Sequence, residues 1–244
     1  MFWIILLGLV GTVAKAVGFG LSCRLPFRKW LSVKCWLLLA LLEDFALYLV
    51  LALGFDPKTS ILYAQVYYWS DLIVVFAGLL VLLRVAEVAF KNTRVDLPLL
   101  RMIAIGIIAG IGVVSFVTVF SKLGPAALSF RHLIAFASEA EQNLATAGML
   151  GSFVLWGAIG MLRVPGVRVR RITAGYGIFY SASACAWSLV ALFGNTLSLA
   201  VPLLSLASIV LLAYAMAERD DGKPAQPRRG PADVPMALPE RGAA

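Results

Sequence analysis

The sequence predicts an all-α bundle of seven membrane-spanning helices followed by a short polar tail. Three observations predict it. Of 244 residues, 61% are hydrophobic and only 14% are charged, whereas a water-soluble domain carries charge at roughly a quarter of its positions. Mean hydropathy is +0.91. The apolar residues fall into seven runs, each long enough for the ~20-residue helix that a hydrocarbon core requires. An ordinary cytosolic enzyme and a disordered chain are excluded by this composition. A nucleic-acid-binding domain is excluded by where the net charge of +8 sits: the cations occupy short gaps between apolar runs, not one solvated face.

The runs cover about residues 2–22, 35–54, 61–90, 100–121, 130–162, 172–193 and 195–217. The first, MFWIILLGLVGTVAKAVGFGLS, has no basic residue ahead of it and is followed by Arg24, Arg28 and Lys29. It reads as a retained helix with its N-terminus outside, not as a cleaved signal peptide. The third and fifth runs reach about 30 residues without a proline or a loop-like break. They are single helices that tilt or project beyond the bilayer. Orientation follows from Lys and Arg. Arg24, Arg28, Lys29, Lys34, Lys91, Arg94, Arg101, Arg163, Arg168, Arg170 and Arg171 fall on one side, against Lys58, Lys122 and Arg131 on the other. The richer side is cytosolic, which puts the C-terminus in the cytosol and the chain in the plasma (inner) membrane of a bacterium, multi-pass. Trp3, Trp30, Trp36 and Trp69 lie near run ends, as interfacial anchors do.

From Glu218 the composition changes. ERDDGKPAQPRRGPADVPMALPERGAA carries five prolines, alternating charges and no periodic apolar face. Residues 1–217 therefore form the membrane domain and 218–244 a disordered, Pro-rich cytosolic tail. No internal repeat relates the first three runs to the last three. The one clearly intramembrane proline is Pro202, so the paired helix interruptions of one large transporter class are missing. Gly106 and Gly110 form a GxxxG pair, and Ala147 and Gly151 a small-xxx-small pair; internal packing and oligomerisation both account for such spacings.

One histidine, His132, and three cysteines, Cys23, Cys35 and Cys185, cannot supply bis-histidine haem or a multi-ligand zinc site. No cofactor is expected. Cys23 and Cys35 flank a cytosolic loop, where thiols stay reduced.

Function is therefore sought among the intramembrane charges, which are costly there. Lys15 in the first run and Glu43 and Asp44 in the second lie at similar depth and are expected to form an ion pair locking two antiparallel neighbours. Asp71 lies ten residues into the third run. Glu139 and Glu141 enter the fifth from the same side. On a helix Glu139, Gln142, Asn143 and Thr146 make one stripe, with Glu141 roughly 200° away from Glu139. A segment polar on two faces belongs in the bundle interior or beside a hydrated cavity. Tyr67 and Tyr68 precede Asp71 by one turn, Tyr48 follows Asp44 by one turn, and Tyr176, Tyr180, Ser183 and Trp187 line the sixth run. The expectation is a buried acidic–aromatic pocket around Asp71, Glu139, Tyr67, Tyr68 and Tyr180, with Glu141 and Asn143 contributing. Two readings of it stay open: a site for a small ligand, proton or cation, and a network of protonated carboxyls that holds helices together. Arg84, Glu87 and Lys91, spaced i, i+3 and i+7, read as mutual neutralisation along one face.

Seven helices with an outside N-terminus invite comparison with retinal proteins, but TLSLAVPLLSLASIVLLAYAMAE holds no lysine for a Schiff base. The hydrolase-like seven-helix receptors need several histidines. YYWSD opening the third run, Glu87 near its exit and TAGMLGSF in the fifth together resemble bacterial seven-helix membrane proteins of unknown function and similar length. The resemblance implies a seven-helix bundle and brings no activity with it. Without a nucleophile–base pair or a multi-ligand metal set, no enzyme is expected. A non-catalytic sensor, ligand-binding or assembly module is the leading expectation, and a proton- or cation-coupled transporter or channel the alternative. The partners expected are the lipid bilayer, a small ligand, proton or cation, and a membrane or cytosolic protein, with no nucleic acid.

Overall fold

A computed structural model describes residues 2–56, 59–91, 96–123, 130–162, 164, 167–193 and 200–217. The expected tail, 218–244, lies outside them. Among the described residues there are seven α-helices and no strand: α1 (Phe2–Cys23), α2 (Phe27–Ala52), α3 (Ile61–Phe90), α4 (Leu97–Leu123), α5 (Phe130–Met161), α6 (Val167–Phe193) and α7 (Ala200–Ala217). Trp30–Ala52, Ile61–Phe90, Leu97–Lys122 and His132–Met161 are long and apolar enough to cross a membrane, and Gly8–Cys23 and Leu203–Ala217 are shorter apolar helices.

Helix ends follow local chemistry more closely than hydropathy. The Ser60 side chain accepts a hydrogen bond from the Tyr63 backbone N–H at 3.3 Å and starts α3. Asp96 Oδ1 accepts from the Leu99 N–H at 3.4 Å ahead of α4. Gly54, with φ of +84°, ends α2 in the left-handed region that a side chain resists. α2 and α6 begin earlier than their apolar runs: VRVRR is polar yet helical, and α2 takes in FRKWLSVK with a kink at Trp30 (φ −119°, ψ 19°). Hydropathy records where the chain is apolar, and a helix turn of Lys and Arg satisfies its own backbone just as well.

α1 packs on α2 and α7, α2 on α3, α3 on α5, α5 on α6, and α6 on α7. These six helices close a ring, with α3 also touching α6 across it. α4 stands outside, packed mainly on α5. Half of the most apolar stretch of α3 is buried, against 11% for that of α4. The bundle's outer faces are apolar, with Met102 of α4 66%, Val154 72% and Met161 87% exposed, far more continuous apolar surface than water tolerates.

The core gathers Trp36, Tyr176 and Tyr180, each at most 1% exposed. Trp36 Nε1 donates to the Val74 carbonyl at 3.0 Å, and Tyr180 Oη donates to the Val75 carbonyl at 2.8 Å. These two polar edges thereby find partners without water, while the buried Tyr176 hydroxyl has no hydrogen-bond partner. Gly78 and Gly148 make room for Tyr180; a Cβ at either would collide with its side chain. Trp30 and Trp36, expected at an interface, are instead 2% and 1% exposed: the inward face of α2 decides their position, not their distance from a run end. Trp69 is exposed and lies against Phe136. Gly106, Gly110 and Gly151 face no neighbouring helix, so the expected small-residue pairs do not make the internal contacts. Pro202 falls in the first turn of α7, where an N–H has no intrahelical partner to lose.

Candidate functional site

Glu43 and Asp44 are adjacent on α2, so their side chains leave the helix roughly 100° apart and reach different neighbours. Asp44 turns to α1. Lys15 Nζ donates to its Oδ1 at 2.7 Å and Thr12 Oγ1 to its Oδ2 at 2.8 Å. Lys15 also donates to the Ala40 carbonyl at 3.4 Å, and Tyr48 Oη lies 3.4 Å from Thr12 Oγ1. Both oxygens of Asp44 and the Lys15 charge are committed to this seam, where each side chain is 17% exposed.

Glu43 turns the other way. It interacts electrostatically with Asp71 on α3, Glu141 on α5 and Lys15 on α1. Register explains the meeting. Glu43 lies nine residues before the end of α2, Asp71 ten after the start of α3, and Glu141 eleven after the start of α5. At ~1.5 Å per residue all three sit roughly 14–16 Å in from the same end of the bundle. Asp71 and Glu141 are within hydrogen-bonding reach of each other. A carboxylate can only accept, so a hydrogen bond between the two forms only when one of them carries a proton. Glu141 is 4% exposed, and its Oε2 has no hydrogen-bond partner.

Tyrosines stand over the carboxyls on the side of the α2–α3 turn. Tyr63, Tyr67 and Asp71 are spaced i, i+4 and i+8, one face of α3. The Tyr63 and Tyr67 rings are stacked with centroids 6.4 Å apart, and Tyr68 meets Tyr67 edge-on at 5.1 Å. Tyr67 and Tyr68 both interact electrostatically with Asp71 and Glu141. All three tyrosines are half-buried. One turn past Asp71 this changes: Val74, Val75 and Gly78 are buried under Trp36, Tyr176 and Tyr180. The cluster thus has a loosely packed aromatic approach and a closed aromatic floor.

Three sequence-predicted members are elsewhere. Glu139 does not meet Asp71; its Oε2 lies 3.4 Å from Lys122 Nζ of α4, in a well-solvated pair. Asn143, on the same stripe, donates to Ser115 Oγ of α4 at 3.0 Å. The stripe faces α4, and Glu141, on the opposite side, faces α3. Tyr180 belongs to the floor, its hydroxyl spent on the Val75 carbonyl. Sequence reasoning placed Glu43 only with Lys15, yet the adjacency of two acidic residues on one helix already implied two different neighbours. Tyr63 was legible as the next i−4 position above Tyr67.

The second charged node lies at the far end of α3. Glu87 accepts from Arg84 at 2.6 Å and from Arg101 of α4 at 2.6 Å. The expected third member, Lys91, is exposed; Arg101 takes the place it was given because α4 runs alongside. Nearby cations hold helix ends: Lys34 Nζ donates to the Leu25 carbonyl at 2.9 Å and Arg168 Nε to the Ala215 carbonyl at 3.1 Å, while Arg171 lies 4.5 Å over the Tyr214 ring.

Among the described residues no group of three or more His, Cys, Asp or Glu side chains is disposed to hold a metal ion. No family model, curated protein or solved structure matches this chain.

Proposed function

We propose that the chain is an integral membrane protein of seven spans, its N-terminus outside and its C-terminus in the cytosol of a bacterium. Within it, the Glu43–Asp71–Glu141 cluster serves as the binding site of a non-catalytic ligand-responsive module. The observation that carries this reading is the convergence of three carboxyls from three helices at one level, under half-buried tyrosines and above a sealed floor. Carboxyls so placed cost stability unless something compensates them. The one lysine nearby is already committed to Asp44. The excess of Lys and Arg in alternate connections supports the orientation, and it turns the tyrosine side of the cluster outward.

The floor favours binding over passage. A transport route needs to reach the site from both sides in turn. Here Trp36, Tyr176 and Tyr180 close the inner side with rings 5.0 and 6.3 Å apart at their centroids, each almost wholly buried. α3 and α5 also run unbroken through the level of the site. A second reading, a proton- or cation-coupled transporter or channel, draws on the surplus of carboxyls over cations.

Proteoliposomes loaded with a pH-sensitive dye under an imposed potential separate the two. Folded wild-type protein with no proton flux above empty liposomes is the expected result. Flux that disappears in Asp71→Asn and Glu141→Gln would replace the binding module with a transporter.

A further inference from the structure

The cluster offers more than a place for protons. Three carboxyls act electrostatically on one another, and Glu141 Oε2 has no hydrogen-bond partner at 4% exposure. A small divalent ion would draw six or more oxygens into a tight shell, and no such group is gathered among the described residues. What stands beside the carboxyls instead is aromatic: Tyr67 and Tyr68, edge to face at 5.1 Å, with Tyr63 stacked one turn further out. Ring faces do nothing for a proton. They attract a bulky, weakly hydrated cation whose centre comes within about 6 Å of the ring centroid, while carboxylates meet the N–H groups of such a cation in short charge-assisted bonds.

We infer that the site takes a single organic ammonium cation, admitted from the end of the bundle formed by the α2–α3 turn, with Glu141, Asp71 and Glu43 as counter-charges and Tyr67 and Tyr68 as its aromatic walls. This inference rests on the binding-module reading. The cation enters as counter-charge, and any proton that the three carboxyls hold at the working pH leaves to water as it binds. The charged groups that face this exchange are Lys15 of α1, Glu43 and Asp44 of α2, and Asp71 of α3, with the hydroxyls of Tyr67 and Tyr68.

The test is calorimetric titration of the full chain in nanodiscs with tetramethylammonium and n-butylammonium chlorides, against sodium and potassium chlorides at equal ionic strength. Buffers of different ionisation enthalpy report any proton released. Saturable binding of one ammonium per chain is expected, with at least one of the two probes. It should weaken by about tenfold or more in Glu141→Gln, which loses a charged partner, and in Tyr67→Leu. Tyr67→Phe keeps the ring face and should stay within about threefold of wild type. Glu87→Gln removes the same formal charge far from the site and should bind as wild type. No saturable heat from either ammonium, equal heats from the alkali salts, or binding indifferent to Glu141→Gln would overturn the ammonium assignment. The flux measurement is independent: conduction alongside ammonium binding would sink the module reading and leave the ligand class standing.

Discussion

Asp71 and Glu87 lie on one helix, sixteen residues apart, and keep opposite electrostatic company. Glu87 accepts from two guanidinium groups at 2.6 Å each, one of its own helix and one of α4. Asp71 faces two further carboxyls, and the nearest lysine is already bound to Asp44 at 2.7 Å. Matched charges of the first kind fasten helices: Glu87 holds α4 to α3, and Asp44 holds α1 to α2. The unmatched set fastens nothing with charge. Its geometry is kept by the packing around it, the aromatic floor included; in the proposed reading its charges are what a ligand meets.

Four substitutions test that contrast, starting with the largest effect. Lys15→Met leaves Asp44 largely buried with only Thr12 as partner, and should cost about 3 kcal/mol in equilibrium unfolding from mixed micelles. Adding Asp44→Leu should recover most of the loss, and failure to do so would mean that Lys15 acts through the cluster instead. Gly148→Ala drives a methyl group into the Tyr180 ring and should destabilise by roughly 1–3 kcal/mol. A neutral result would show a floor that yields, removing the barrier on which the one-sided site depends.

Glu141→Gln should move the other way. Its amide donates to Asp71 without needing a shared proton, so unfolding stability should hold or rise by up to about 1 kcal/mol. A loss as large as that of Lys15→Met would make the cluster structural. Glu87→Gln should have the smallest effect, a fall in stability less than half that of Lys15→Met. Its arginine partners are 46% and 56% exposed and can turn to water.

The positions of the seven helices were legible because apolar runs and the backbone's need for internal hydrogen bonds coincide along most of the chain. They part at α2 and α6, whose first turns are basic. The site was legible as a set of residue types and depths but not as a set of contacts. A sequence gives the angle between Glu139 and Glu141 on α5, yet not how far α5 is rotated about its axis, and that rotation decides which of them meets Asp71. The same indeterminacy sent Tyr180 to the floor and Glu43 into the cluster. Gly78 and Gly148, spaced in no recognisable motif, mark the close approach of Tyr180, while Gly106 and Gly110, which have the familiar spacing, leave open space where a Cβ would stand.

The closure of the ring by α1 against α7 also sets an order of events during synthesis. Every other contact in the ring joins elements next to each other or one helix apart, and can form as the chain emerges. α1 alone waits for a partner that begins at Ala200, and at ordinary elongation rates the delay is about ten to forty seconds. Throughout that interval the face of α1 that α7 will cover is open, and α1 rests on α2 alone, with Lys15, Thr12 and Asp44 among the contacts. The ion pair that looks like a minor rivet in the finished bundle is one of the contacts that keep its first helix in register until the last one arrives.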